Sequence, residues 1–154
     1  MFHHESMLRE AVRLALDNRG NGGRPFGAVL TMDDEVVAVG VNDIVHSHDP
    51  TAHAEMAALR TASQRLQRPD LSGAIMYASG HPCPMCLAAM VIAGIKAVYY
   101  AFDNNEAAPH GYSSDATYRK LGINLERPSL PLTRLELGVA ASELYGPPNK
   151  GKQA

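Results

Sequence analysis

The stretches Thr51-Ala52-His53-Ala54-Glu55 and His81-Pro82-Cys83-Pro84-Met85-Cys86 decide the fold and the chemistry of this chain. The first has the pattern H-x-E and the second the pattern P-C-x-x-C. The 26 residues between Glu55 and Pro82 leave room for one helix and one strand. One imidazole and two thiolates make three metal ligands, and a zinc site with three protein ligands keeps its fourth position for water. The two stretches therefore predict a catalytic zinc site, with Glu55 left over as a proton carrier.

Both motifs are expected at helix N-termini, because each contains or follows a proline suited to the first turn of a helix. Asp49-Pro50 predicts a cap and start for a helix that runs to about Leu66. Pro84 predicts a second helix that reaches Ala93. A helix N-terminus carries roughly half a positive charge, which lowers a thiol pKa and favours the thiolate that zinc requires.

The remaining elements follow from hydrophobic periodicity and turn residues. A first helix starts after Ser6 and ends near residues 18–20. Four segments have the composition of strands, and two further short helices and a weak last strand are expected: strands at 26–32, 36–41, 75–79, 95–102 and 133–137, and helices at 115–121 and 140–145. This alternation predicts an α/β domain with helices on both faces of the sheet, a three-layer α/β/α sandwich.

Length and charge narrow the class of protein. The 154 residues predict a single domain over residues 1–146, followed by a flexible tail at 147–154. The formal net charge of −2 gives no electrostatic footprint for nucleic acid, so nucleic-acid binding is not expected. The chain has no apolar run of signal-peptide or membrane-spanning length, and its only two cysteines lie three positions apart. We expect a cytoplasmic protein in a reducing environment, without membrane association.

Two other uses of the cysteines are open at this point. A C-x-x-C motif that follows a strand and opens a helix is also typical of thiol redox proteins, although that function leaves His53 and Glu55 without a role. A structural zinc site is the second alternative, with His81, His46 or His48 as a fourth ligand. Such a site would leave no open position for chemistry.

The combination H-x-E…P-C-x-x-C is the signature of zinc-dependent nucleobase deaminases. Residues 42–55 and 82–86 closely resemble the cytidine deaminase superfamily, in particular the branch of bacterial guanine deaminases, nucleoside deaminases and tRNA adenosine deaminases. The resemblance implies a five-stranded mixed sheet, a homodimer, and one Zn²⁺ per chain bound by His53, Cys83 and Cys86. It also implies that Glu55 is catalytic, moving a proton from water to a ring nitrogen and then to the departing amine.

The resemblance gives weaker indications about the substrate. Asn42 matches an asparagine that hydrogen-bonds the base in this branch, Phe26 and Tyr112 could build a flat slot, and His81 could bind a substrate edge or only close the turn before Pro82. The candidate substrate-binding residues, which would surround the base, are Asn42, Phe26, Ala54, His81, Tyr112 and Asp115.

The leading hypothesis is a zinc-dependent aminohydrolase acting on a free amino-purine base or nucleoside, with guanine, converted to xanthine, as the first candidate. The alternatives are adenosine in tRNA, with Arg60, Arg65 and Arg68 as a basic rim, and another small aminated heterocycle such as cytosine, cytidine, a pterin or a triazine. Two departures bear on guanine. His81 stands where this branch commonly has Glu, and residues 111–115 (Gly-Tyr-Ser-Ser-Asp) replace an aromatic followed by an acidic pair. Guanine offers N1–H and 2-amino donors, so a carboxylate is its natural reader, and Asp115 could serve if the register slips by one residue.

Overall fold

The computed structural model of the chain describes residues 2–148. The helices and strands, in chain order, are α1 (Phe2–Gly20), β1 (Gly27–Met32), β2 (Glu35–Val41), α2 (Ile44–Ser47), α3 (Ala54–Leu66), β3 (Ile75–Gly80), α4 (Pro84–Ala93), β4 (Ala97–Phe102), α5 (Asn104–Ala107), α6 (Asp115–Leu121), β5 (Leu132–Arg134) and α7 (Ala141–Tyr145). A single 3₁₀ turn, Ala108–His110, follows α5.

The five strands form one mixed sheet in the order β2-β1-β3-β4-β5. Strand β1 runs antiparallel to both β2 and β3, whereas β3, β4 and β5 are parallel to one another. The helix α4 connects the parallel pair β3 and β4, as a crossover connection requires. The five-stranded mixed sheet expected from the family resemblance is confirmed.

Alternate side chains of the strands point to two separate cores, one on each face of the sheet. Leu30 and Met76 pack with residues of α3 and α4. Their chain neighbours Val29 and Tyr77 point the other way and pack with residues of α1 and α7. The sheet is therefore covered on both faces, which confirms the three-layer α/β/α sandwich.

Gly40 sets the distance between α3 and the sheet. A Cβ at this position would lie 2.7 Å from the amide nitrogen of Ala58 and closer still to the carbonyl oxygen of Ala54. Only glycine allows the first turns of α3 to lie this close to β2. The close packing fixes the start of α3 beside the carboxyl end of β2.

The start of α3 differs from the sequence-based expectation. Asp49 does not cap the helix; its Oδ1 accepts hydrogen bonds from the Thr51 backbone and hydroxyl, each at 2.8 Å, and closes a turn instead. The helix begins four residues after Pro50, and His53 is its N-cap residue, with extended backbone angles of φ −81° and ψ 157°. The side chain of His53 consequently leaves the helix end rather than its flank.

Other boundaries also differ. Helix α1 starts at Phe2 instead of after Ser6, and two segments for which no helix was predicted, 42–49 and 103–114, contain α2 and α5. The last of these had a sequence signal, because Asp103 and Glu106 form a capping box in which each side chain binds the other's backbone amide.

Two predictions about the chain as a whole stay predictions. The single domain over 1–146 is one. The flexible tail at 147–154 is the other, since residues 149–154 lie outside the described part of the chain. Within residues 2–148, every helix is too short or too polar to cross a membrane.

Candidate active site

The three predicted metal ligands converge at the N-termini of α3 and α4. His53 is the N-cap residue of α3, Cys83 is the N-cap residue of α4, and Cys86 lies in the first turn of α4. The Nδ1 atom of His53 is 3.4 Å from Cys83 Sγ and 3.5 Å from Cys86 Sγ. Among the described residues, these three form the one cluster of His, Cys, Asp and Glu side chains able to hold a metal ion.

The spacing of these atoms fits zinc. With Zn–N near 2.1 Å and Zn–S near 2.3 Å, tetrahedral ligation places a nitrogen and a sulfur ligand about 3.6 Å apart. The two observed N–S distances are close to this value. The donor set of one imidazole and two thiols is also one that catalytic zinc sites use.

The residues considered as a fourth ligand lie elsewhere. His46 lies on the exposed helix α2, with its Nδ1 3.4 Å from Asp43 Oδ1. The Nδ1 of His81 contacts the Pro82 carbonyl oxygen at 2.9 Å, and neither histidine, nor His48, joins the described ligand cluster. The arrangement is that of a three-ligand site with an open position.

The two cysteines are electrostatically different. The pKa of Cys83 is lowered, chiefly because the Cys86 thiol donates to its sulfur, and His53 adds a further hydrogen bond. The same donation by Cys86, together with burial, raises the pKa of the Cys86 thiol. The backbone N–H of Cys86 also donates to Cys83 Sγ at 3.5 Å. Cys83 is therefore the first thiolate of the pair.

Glu55 is the second residue of α3, with only 6% of its surface exposed. Its pKa is raised, first by burial and then by the nearby Cys83 sulfur, while a hydrogen bond with Cys86 opposes the shift. A carboxyl with a raised pKa can both accept and release a proton near neutral pH, as general acid–base chemistry requires. The position of Glu55 two residues from His53 and beside both cysteines suits this role.

A cavity of about 260 Å³ opens onto the ligand cluster. His53, Cys83 and Glu55 line it. Five of the six residues predicted to surround a substrate also line it: Phe26, Asn42, Ala54, His81 and Tyr112. The cavity therefore brings together two of the three predicted metal ligands, the proton carrier and most of the predicted substrate contacts.

The amide of Asn42 has a fixed orientation. Its Oδ1 accepts a hydrogen bond from the backbone N–H of Ile44 at 3.0 Å, and the side chain is only 4% exposed. Since the oxygen faces the backbone donor, the Nδ2 group is the part of the amide left to donate to a bound molecule. Asn42 thus presents a hydrogen-bond donor to the cavity.

An aromatic cluster forms one wall of the cavity. The rings of Phe26 and Tyr112 meet edge to face, with 5.4 Å between their centroids. Tyr145 of α7 packs behind both, at 6.0 Å from Phe26 and 5.4 Å from Tyr112. The contribution of Tyr145 was not expected from the sequence, because nothing in the local pattern of a short terminal helix shows which distant ring it will contact.

His81 both closes a turn and lines the cavity. A carbonyl oxygen can only accept, so the contact between His81 Nδ1 and Pro82 O requires a proton on Nδ1. Burial lowers the pKa of His81 and favours the neutral ring, in which Nε2 is then an acceptor. The rings of Tyr100 and Tyr118 contact His81 edge-on and hold its orientation.

The structure does not bring Asp115 to the cavity wall. Asp115 is the first residue of α6, and its backbone N–H donates to Ser113 Oγ at 3.2 Å. Three hydroxyl residues of this region line the cavity in its place, namely Ser113, Ser114 and Thr117. Arg24 also lines the cavity and was not predicted, because the glycine and proline residues around it indicate only a loop.

Comparisons with known proteins agree with this geometry. The model of the cytidine and deoxycytidylate deaminase zinc-binding region matches residues 1–102. The guanine deaminase of Bacillus subtilis is 41% identical over 137 residues, which is 88% of this chain and 87% of that protein. A tRNA-specific adenosine deaminase of Buchnera aphidicola is 28% identical over 127 residues, covering 82% of this chain and 81% of that protein.

The fold comparison gives the same relationship. The X-ray structure of the Bacillus subtilis guanine deaminase has a TM-score of 0.75 and 40% identity, covering 87% of this chain and 86% of that one. The family match spans β1 to β4 and both motif helices, and so includes every predicted metal ligand. The resemblance noted from the motifs is confirmed: this chain belongs to the cytidine and deoxycytidylate deaminase family and is a hydrolytic deaminase.

Proposed function

We propose that the protein is a zinc-dependent guanine deaminase, which converts guanine to xanthine and releases ammonia. The observation that carries this proposal is the 41% identity to a guanine deaminase over 88% of the chain. A second support is the cavity that opens onto the three-residue cluster and is lined by a buried carboxyl and an amide donor. A small nucleobase is the partner that this combination favours.

His53, Cys83 and Cys86 would hold one Zn²⁺ per chain. When bound, zinc lowers the pKa of a coordinated water from about 15.7 to near 7 and so provides a nucleophile at neutral pH. Glu55 would take one proton of that water and deliver it to a ring nitrogen of the base. It would then take the proton of the hydroxyl added to the carbon and give it to the amine, which leaves as ammonia when the carbon–nitrogen bond breaks. The aromatic wall of Phe26 and Tyr112 packs against the ring, and Asn42 Nδ2 donates to an acceptor of the base.

The size of the cavity favours a free base over a nucleoside. Its volume of about 260 Å³ lies just below the range of pockets for drug-sized ligands, ~300–1,000 Å³. A bare purine is the smaller of the two candidate substrates and therefore fits such a cavity better than a nucleoside does.

A tRNA substrate is the second candidate, supported by the tRNA-specific relative. It would require free basic groups along the rim, and two of the candidate rim arginines, one in α3 and one just after it, contact other residues of the chain. Arg65 donates to the Val37 carbonyl oxygen at 2.6 Å, and Arg68 contacts Met32 Sδ at 3.3 Å. Together with the net charge of −2, this favours a small substrate.

A homodimer in the cytoplasm is part of the proposal. Helix α4 carries no charged residue, and Val91 and Ile92 on its outer face are 45% and 87% exposed. An apolar helix face of this kind favours association, and a second copy of the chain is the partner that the family resemblance implies. Two unpaired thiols required as metal ligands favour a reducing compartment.

The decisive experiment measures ammonia release from a panel of guanine, guanosine, adenine, adenosine, cytosine, cytidine and tRNA. Guanine is expected to give the highest kcat/KM, and metal analysis is expected to find about one zinc per chain. Turnover of tRNA alone, or full activity without metal, would contradict the proposal.

A further inference from the structure

Arg24 lies on the cavity wall, on the segment that joins α1 to β1. Its side chain is half-buried. Its guanidinium has no hydrogen-bond or salt-bridge partner among residues 2–148. A guanidinium carries five N–H donors in a planar fork, and without a partner in the chain these donors are free to bind water or a molecule in the cavity.

The backbone of Arg24 is held by hydrogen bonds, so the lack of a partner for its guanidinium is not explained by an irregular, unsupported loop. Its carbonyl oxygen accepts from Asn18 Nδ2 at 2.8 Å and from the Phe26 backbone N–H at 2.8 Å. The next residue, Pro25, is buried and restricts Arg24 to extended backbone conformations. Asn18 Nδ2 also donates to the carbonyl oxygen of Asn42 at 2.8 Å. One side-chain amide thus ties together the two residues that present N–H donors to the cavity.

The two donors have a natural complement on the proposed substrate. Guanine has acceptors at O6 and N7, on the part of the ring system away from the reacting C2, and an arginine fork can bind both at once. Adenine has a donor, its 6-amino group, in place of O6 and is mismatched to a guanidinium. Ser113, Ser114 and Thr117 also line the cavity, and their hydroxyl groups carry no charge.

We propose that Arg24 is a specificity-determining residue, which donates to the O6 and N7 acceptors of a 6-oxopurine while Asn42 binds the same side of the base. The inference rests on the proposed guanine deaminase function and deepens it. It assigns the recognition of the acceptor edge to a residue outside the H-x-E and P-C-x-x-C motifs.

The test compares the zinc-loaded wild type with Arg24→Ala and Arg24→Lys on two substrates, guanine and 7-deazaguanine. The analogue keeps the reactive 2-amine, N1–H and O6 but has C–H in place of N7. Arg24→Ala is expected to lower kcat/KM for guanine about 10- to 100-fold, mainly through KM, because a good bidentate pair contributes that much discrimination. The preference of the wild type for guanine over the analogue should fall to less than about threefold. Arg24→Lys keeps the charge but not the fork, and should restore only part of the guanine kcat/KM.

Arg119→Ala is the matched control, since Arg119 is an exposed arginine of α6 that does not line the cavity. It should leave both substrates unaffected. An Arg24→Ala enzyme with an unchanged KM for guanine, or with an unchanged preference over the analogue, would overturn the role of Arg24 while leaving guanine deamination intact.

Calorimetric binding of guanine to Glu55→Gln protein, with Arg24 intact or replaced by Ala, separates the two proposals. Arg24-dependent guanine binding without turnover by the wild type would support the recognition role and contradict the proposed reaction. Neither binding nor turnover of guanine would overturn both.

Discussion

The hydroxyl of Tyr118, in α6, donates a hydrogen bond to the carbonyl oxygen of Pro82, the residue before the first cysteine ligand. The same oxygen is 2.9 Å from His81 Nδ1. Tyr118 is only 4% exposed, and its ring also contacts His81 edge-on at 5.6 Å. A helix far along the chain therefore holds the turn that places Cys83 in the candidate metal site.

Tyr118→Phe should test this link. The variant keeps the ring packing and removes one buried hydrogen bond, so the free energy of unfolding should fall by about 1 kcal/mol. Because the bond positions the ligand turn, zinc affinity should fall as well, about 10-fold by analogy with other groups that orient metal ligands.

Chemical denaturation and competition with a zinc-binding dye measure the two effects. Tyr99→Phe is the control, since the Tyr99 hydroxyl has no hydrogen-bond partner among the described residues and lies on β4 away from the cysteines. Equal zinc affinity of the Tyr118→Phe and Tyr99→Phe variants would show that the Tyr118 hydrogen bond stabilises the fold without positioning a metal ligand.

Glu55→Gln should abolish nearly all turnover and retain zinc. The amide occupies the same buried space but cannot carry a proton, and general acid–base catalysis is typically worth 10²–10⁴-fold in rate. Steady-state ammonia release and metal analysis on the same preparation measure both properties. The exposed Glu126→Gln should behave as wild type. Ammonia release that survives the Glu55 substitution would contradict the role of Glu55 as the proton carrier. The thiol redox alternative gives Glu55 no role, and a redox protein would tolerate the substitution.

Removal of the metal should abolish activity reversibly and lower the melting temperature. The proposed zinc site is the cluster of His53, Cys83 and Cys86 in the folded chain, so loss of the metal should remove a ligand-linked stabilisation of the folded state. Dialysis against a chelator, followed by addition of Zn²⁺, tests both effects by ammonia release and thermal unfolding. Cys83→Ser should show the low melting temperature with or without added zinc. Activity that survives complete chelation would exclude the metal from the reaction.

The parts of this site that the sequence could predict are those that local pattern determines. His53, Glu55, Cys83 and Cys86 occupy two short motifs whose spacing reflects ligand geometry, and the central strands β1 and β3 are apolar runs buried along almost their whole length. Asp49 was assigned wrongly as a helix cap because an Asp before Pro favours a cap and a turn alike, and only the packing of α3 on Gly40 determines where the helix begins.

The cavity walls depend on contacts between residues distant in sequence, which no local pattern encodes. Tyr145 reaches Phe26 across more than 100 positions. Arg24 stands in a glycine-rich loop that reads only as a turn. Asp115 was the closest carboxylate in the expected register, yet the N-terminal turn of α6 places the neighbouring hydroxyl residues at the wall instead.

Ile92→Asp should weaken self-association. Ile92 is 87% exposed on the apolar face of α4, and a charge there opposes the burial of that face against a second copy of the chain. Light scattering over a range of concentrations should show a dimer for the wild type and a monomer for the variant. Val36→Asp, at a 50% exposed position of the edge strand β2, is the control and should remain dimeric. A wild type that is monomeric at all concentrations would contradict the homodimer.

Asn18→Leu should impair recognition of guanine, although Asn18 does not line the cavity. The Asn18 amide donates to the carbonyl oxygens of Arg24 and Asn42, each at 2.8 Å, and so acts as a positioning residue for both cavity donors. Leucine has a similar volume and no donor, so both donors should become less well placed. The KM for guanine should rise about 10-fold, because the variant loses the two hydrogen bonds, of about 1 kcal/mol each, that hold the backbone of Arg24 and of Asn42 in place.

A merely structural role of Asn18 would give a different result. Loss of folded enzyme lowers the apparent kcat for every substrate equally, whereas loss of positioning raises KM and reduces the preference for guanine over 7-deazaguanine. Asn21→Leu, in the exposed turn that follows α1, is the matched control and should change neither quantity. If Asn18→Leu lowered kcat alone, with KM and the substrate preference retained, the amide would support the stability of the loop and not the placement of Arg24 and Asn42.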